Sequence, residues 1–145
     1  PMNVIIQAIL LTALLTYAAI IDCKKREIPN TLCLGVSLLS LLNFDLGNLL
    51  GLGIALILWL TAVYIVPDKL GGGDIKLCAA VSIVIGFTAT TYSIIIGFGI
   101  VSLVWLAMLL FKTKQEVEKY SLPLAPFLGL GFLITYFIEI GGRLV

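Results

Sequence analysis

Leu70-Gly71-Gly72-Gly73-Asp74-Ile75-Lys76-Leu77 sets a carboxylate directly before an apolar run that continues to Ala89. Asp22 mirrors it, closing the run from Val4 to Ile21 just before Cys23-Lys24-Lys25-Arg26. An ionisable side chain at the edge of hydrocarbon is costly unless it is paired, solvated or used. Whether these runs lie in hydrocarbon therefore decides both the fold and the meaning of the two aspartates. Composition answers: 61% hydrophobic residues, 12% charged residues and a mean hydropathy of +1.17 over 145 residues do not suit a soluble domain. The chain reads as an all-α integral membrane protein.

Working outward, apolar runs able to cross a core of about 30 Å, or nearly so, cover 4–21, 31–43, 48–66, 75–89, 92–111 and 122–140. This predicts about six transmembrane helices. The second and fourth runs are short, so they sit in thinned bilayer or extend into their loops. Charge then sets the orientation. Lys24, Lys25 and Arg26 follow the first run, Lys69 and Lys76 flank the turn into the fourth, and Lys112, Lys114 and Lys119 follow the fifth. Among the nine Lys and Arg residues only Arg143 falls on the other side. The bias of basic loops toward the cytoplasm puts both termini outside and Asp22 and Asp74 together on the cytoplasmic face. One crossing more or fewer between them would put the two carboxylates on opposite faces.

The first run has no basic segment before it and no small-residue cleavage site after it, so it is expected to remain in the mature protein. Pro1 before Met2 reads as a scar of tag removal. No linker or low-complexity tract divides residues 1–145, which are expected to form a single membrane domain.

The chain has no histidine, which removes HExxH zinc proteases and Ser-His proteases. A Ser-Lys pair has one local candidate, Lys119 near Ser121. The glycine run matches neither phosphate-binding pattern and no strand precedes it, so neither nucleotide nor nucleic acid is an expected partner. Three cysteines, Cys23, Cys33 and Cys78, have no CxxC spacing, and neither a disulfide nor a metal site is expected. Cys78, one turn beyond Asp74, either lines a site or fills a helix contact.

What remains is carboxylate chemistry. Two aspartates about 3 Å apart do not both ionise readily, so one keeps a proton while the other acts as base. Such a pair can activate water against a peptide carbonyl and protonate the departing amine with no metal or other cofactor. Gly71, Gly72 and Gly73, without Cβ atoms, would let a substrate backbone approach. The plainer alternative is a flexible turn with Asp74 as a helix cap.

Asp22-Cys-Lys-Lys-Arg-Glu-Ile28-Pro29-Asn30, then Gly71-Gly-Gly-Asp74-Ile-Lys76-Leu, then Pro123-Leu-Ala-Pro126-Phe127-Leu-Gly-Leu-Gly131 resemble, in order, three signature segments of the bacterial type IV prepilin peptidases. The resemblance implies a GxGD-type intramembrane aspartyl protease of the bacterial cytoplasmic membrane that cleaves leaders from prepilins and pseudopilins at the cytoplasmic face. It implies Asp22 and Asp74 as catalytic; Gly71, Gly72, Gly73, Lys76, Pro123 and Pro126 are expected to bind substrate or shape the site. Larger members carry an additional cysteine-bearing amino-terminal segment and an N-methyltransferase activity. Nothing here matches that segment, so the chain is similar to the short peptidases of Tad or Flp pili and methylation is not expected.

Pro29 and Asn30 are expected to start the second helix, with Asn30 as cap. Pro123 and Pro126 either kink the sixth helix or leave backbone groups free for an extended substrate. Gly47, Gly51 and Ala55 form a small-residue stripe suited to close helix packing. Glu27, Asp68, Glu116 and Glu118 would attract a basic leader, or are ordinary solvated charges. Two competing classes remain: a small proton- or ion-coupled transporter, whose carboxylates tend to lie near the midplane on broken helices, and a structural subunit whose aspartates pair passively with Lys25 or Lys76.

Overall fold

The computed structural model describes residues 2–65, 67, 70–120 and 122–144, with the side chains of 143 and 144 outside that description. Asp68, Lys69 and Ser121 therefore lie outside the described residues, as does the Arg143 side chain. The chain forms α1 (Met2–Lys25), α2 (Asn30–Leu38), α3 (Leu52–Tyr64), α4 (Gly72–Phe111), α5 (Lys114–Lys119) and α6 (Ala125–Leu144). A 3₁₀ turn, Leu39–Asn43, extends α2, and a second, Leu46–Gly51, leads into α3. No strand occurs among the described residues.

Four elements, Met2–Lys25, Leu46–Tyr64, Gly72–Phe111 and Ala125–Gly142, are long and apolar enough to cross a membrane. Asn30–Asn43 is apolar but shorter. Large apolar side chains such as Ile9, Ile57 and Leu103 are exposed around the outside, as expected where lipid and not water is the solvent. The protein is membrane-embedded.

The fourth and fifth apolar runs are a single assigned helix, α4, broken not at residues 90–91 but at Gly86, where φ is +85° and ψ is 177°. Residues 90 and 91 are threonines inside the helix, and Thr91 Oγ1 donates to the Phe87 carbonyl at 2.8 Å, one turn back. At 1.5 Å per residue a straight helix of 40 residues would be about 60 Å long, twice the hydrocarbon thickness. Contacts with α6 show how α4 avoids this. A Cβ on Gly97 would touch Leu128, and one on Gly131 would run into the Ser93 carbonyl oxygen, so the second arm of α4 descends as α6 ascends. The first arm runs the other way, from Asp74 at the Ala125 end of α6 to Ile85 beside Thr135 and Ile138. The two arms are antiparallel and reverse at Gly86.

That reversal strands helix carbonyls, which in hydrocarbon need partners. Asn48 Nδ2 donates to the Val84 carbonyl at 3.2 Å. Nearby, Gln7 Nε2 donates to the Leu39 carbonyl and Tyr136 Oη donates to Gln7 Oε1, both at 2.9 Å, tying α1, the end of α2 and α6 together at the end far from Asp22. The core between runs through Leu11, Leu15, Val36, Leu77, Val81, Leu128 and Phe132. Gly51 and Ala55 of the small-residue stripe are buried, and a Cβ on Gly51 would lie 2.7 Å from the Ser82 carbonyl oxygen. That stripe serves a contact within the chain.

Candidate active site

Asp22 lies in the last turn of α1. The helix closes when the Arg26 N–H donates to the Asp22 carbonyl at 2.9 Å, with Arg26 at φ +55°. A non-glycine residue in that left-handed region costs about 1–2 kcal/mol, and it turns the chain sharply back toward Ile28. Pro29 then fixes the start of α2 with φ −67°. Asn30 is the first helical residue and makes no capping bond; its Oδ1 accepts from Lys76 Nζ at 3.0 Å. The expectation of Asn30 as a cap gives way because Pro29 occupies the cap position, leaving the amide free to tie α2 to α4.

Asp74 is likewise no cap. Gly71 holds the cap position, α4 begins at Gly72, and the Asp74 N–H donates to the Gly71 carbonyl at 3.1 Å. The glycines are tightly placed. A Cβ on Gly73 would sit 3.2 Å from Ile28 Cβ, and one on Gly71 would sit 3.0 Å from Asp74 Oδ2, whereas Gly72 faces open space. The turn can therefore press against the chain that follows α1 while keeping Gly72 clear.

These segments enclose a cavity of about 310 Å³. The end of α1 and the link after it supply Asp22, Arg26, Glu27 and Ile28, and the turn into α4 supplies Gly71, Gly72, Gly73, Asp74 and Lys76. Both aspartates line this one cavity, within electrostatic reach of each other. Asp22 is 7% exposed, and its Oδ2 accepts from the Ala125 N–H at 3.0 Å. Asp74 is half-buried, and its Oδ1 is buried without a hydrogen-bond partner. An unpartnered carboxylate oxygen in a cavity that a second carboxylate also lines is a natural acceptor for a water or a shared proton. Among the described residues, no three His, Cys, Asp or Glu side chains cluster as metal ligands.

Pro123 and Pro126 do not line the cavity. Neither kinks α6, which begins at Ala125 and not at Leu122; Pro126 falls in its first turn, where a missing N–H costs nothing. They flank the Ala125 N–H, which donates to Asp22. That N–H carries no side-chain signature. Its only signal in sequence is that the first N–H groups of a helix need acceptors from outside it. Cys78 is 1% exposed and packs in the core, so of its two readings the helix contact is the one realised. Glu27 reaches the cavity, while Glu116 closes a capping box with Thr113 at the start of α5. A larger cavity of about 720 Å³ opens at the opposite end beside Gly86, but it holds a single carboxylate, Glu139.

Comparison with known proteins bears on what this cavity does. The profile of the type IV leader peptidase family matches residues 9–107. The chain belongs to that family. A search of curated proteins and of solved structures returned no match. The matched leader peptidase region takes in Asp22 and Asp74 and ends before α6, yet in the fold α6 returns to the same place through Ala125. The family is one of proteases, and its substrates are of the prepilin type.

Proposed function

We propose that Asp22 and Asp74 are the catalytic pair of an aspartic endopeptidase that removes leaders from type IV prepilins and pseudopilins at the cytoplasmic face of a bacterial inner membrane. The observation that carries this reading is the convergence of both aspartates on one cavity, with Asp22 anchored and Asp74 carrying an unpartnered oxygen.

Each arm of α4 counts as one crossing, so the chain crosses six times as one domain, with both termini outside and the basic loops at the cytoplasmic rim. The prepilin lies alongside with its scissile bond at rim depth. One carboxylate of the pair holds a proton, and the pair titrates as a unit. The ionised partner takes a proton from a water between them, and the resulting hydroxide adds to the scissile carbonyl carbon as the protonated partner donates to the carbonyl oxygen. The tetrahedral intermediate then collapses: the carboxylate that gave its proton to the carbonyl oxygen takes one back from a hydroxyl of the intermediate, the C–N bond breaks, and the other carboxyl group passes the proton it took from water to the departing amine. Gly72, open on its Cα, leaves room for the substrate backbone, and Glu27 favours a basic leader. Methylation of the new amino terminus is not part of this proposal.

The test is coexpression with candidate prepilins, read by the mobility shift of leader loss. Asp22→Asn and Asp74→Asn should each abolish cleavage while the protein still inserts, because an amide keeps the shape but cannot exchange the proton. Glu118→Gln on α5 should remain active. Substantial cleavage by either aspartate variant would sink the pair.

A further inference from the structure

The catalytic cavity continues sideways. A groove of about 390 Å³ between α2 and the first arm of α4 shares Lys76 with it. One wall is Asn30, Cys33, Leu34 and Ser37, and the other is Lys76, Ala79, Ala80 and Ile83. Each wall follows the spacing i, i+3, i+4, i+7, the stripe that one face of a helix presents over two turns, about 10 Å. The groove is therefore straight and parallel to both helices. Below the Lys76–Asn30 bond at its upper end, Ser37 is its one other polar side chain, and Ser37 Oγ is satisfied internally by the Cys33 carbonyl at 3.0 Å. Small side chains at 33, 37, 79 and 80 allow a third backbone to approach closely. On the outer edge Leu34 is 62% exposed, so the groove opens to the surrounding solvent, which for this surface is lipid.

We infer that this groove is the docking site for the apolar helix of the substrate, which lies between α2 and α4 with the scissile bond carried over Gly71–Gly73 to the aspartates. The inference rests on the peptidase reading and adds to it the route of substrate approach. The shared residue argues for this occupant over a lipid tail or a second copy of the chain. A polypeptide whose backbone reaches the aspartates and whose next residues are an apolar helix finds, among the described residues, an apolar channel that adjoins the cavity at Lys76 and runs along α2. The outer wall is low there: α2 with its 3₁₀ extension spans only Asn30–Asn43, about 21 Å at helical rise.

The test uses the full-length Asp74→Asn protein in membranes, together with a prepilin that the unmodified enzyme cleaves. A photo-reactive benzoylphenylalanine replaces Leu34 or Ile83 in the groove, or Ile57 on the exposed face of α3 as the comparison. Adducts from 34 and 83 should map by mass spectrometry to the apolar helix of the prepilin, with none from 57. In the active enzyme, Ala79→Trp should raise KM about tenfold with kcat largely retained. If the unmodified enzyme cleaves the prepilin but adducts arise from 57 alone, from none of the three, or from lipid only, the groove is not the docking site while the peptidase reading stands. If the unmodified enzyme cleaves no prepilin, the peptidase reading falls and this inference falls with it.

Discussion

Replacing Ala125 by proline tests whether a backbone group positions the side chain proposed to be catalytic, that of Asp22. Ala125 is the first residue of α6 and its N–H makes no bond within the helix; it donates to Asp22 Oδ2 at 3.0 Å. Proline is well tolerated at a first helical position and removes that donor alone. A hydrogen bond to a charged group contributes about 1.5–3 kcal/mol, and each 1.36 kcal/mol of barrier is tenfold in rate. Ala125→Pro is therefore expected to lower kcat about 10- to 150-fold, with KM little changed. Ala125 is 1% exposed, so the added ring also crowds the core at a cost of about 1–3 kcal/mol. The two effects separate in a paired measurement: initial cleavage rates on detergent-solubilised enzyme, and the unfolding temperature of the same preparation. Ala125→Gly keeps the N–H and loses only the methyl group, so it should keep kcat within a few fold. The reasoning fails if Ala125→Pro stays within threefold of the parent, or if Ala125→Gly loses as much kcat as the proline variant at equal unfolding temperature.

Gly86→Ala should destabilise the fold by more than about 2 kcal/mol, because φ +85° with ψ 177° is open essentially to glycine alone and a Cβ there would lie 2.6 Å from Asn48 Oδ1. Gly53→Ala, with nothing within 4 Å of its Cβ, should be neutral or stabilising by up to about 1 kcal/mol; equal unfolding temperatures for the two would refute the strain argument. Activity is expected to persist in strong chelator; loss on chelation with recovery on adding zinc would contradict a two-carboxylate mechanism. Single cysteines at 24 and 72, with Cys23, Cys33 and Cys78 replaced, should label with an impermeant thiol reagent only from the cytoplasmic side, and one at 45 only from outside. Labelling of 24 and 72 from opposite faces would mean that Asp22 and Asp74 do not share a proton.

The membrane setting was legible because burial in lipid demands unbroken apolar runs, and the convergence of Asp22 and Asp74 was legible because spans and basic loops can be counted. The reversal point in α4 was not. Gly86, Gly97 and Gly99 all punctuate apolar sequence alike, and hydropathy does not say which one turns the chain. What distinguishes Gly86 is the approach of Asn48 from 38 residues earlier, whose amide takes up the Val84 carbonyl. The short helix α5 carried its signal in Thr113-Lys-Gln-Glu116, a capping box that sequence patterning inside a basic loop easily conceals. Asn30 misled for a different reason: Asn beside Pro reads as a cap, and only the packing of α2 on α4 gives its side chain a better partner in Lys76.

The placement of the aspartates also separates proteolysis from transport. Asp22 is three residues from the end of α1, and Asp74 is the third residue of α4, so both stand at the ends of their helices and, in the proposed topology, at the rim of the hydrocarbon. There a carboxylate finds what the midplane lacks. The first N–H groups of α6 have no partners in their own helix, and one of them goes to Asp22. The open Cα of Gly72 admits a second backbone, and a cavity of about 310 Å³ holds several waters. A transporter needs its charge to be reachable from both faces in turn, and the helices between these aspartates and the far end carry a continuous core through Leu15, Leu77, Val81, Leu128 and Phe132. A hydrolase needs water from one side only and a peptide bond brought to the same depth. The broken helix of this fold does not serve the carboxylates, since its break at Gly86 lies at the other end, beside Glu139 and Tyr92. Its effect is to return the second arm of α4 alongside α6, where Ser93 packs on Gly131 and Gly97 on Leu128. That packing fixes α6 close above its first turn, and the first turn is what holds Asp22.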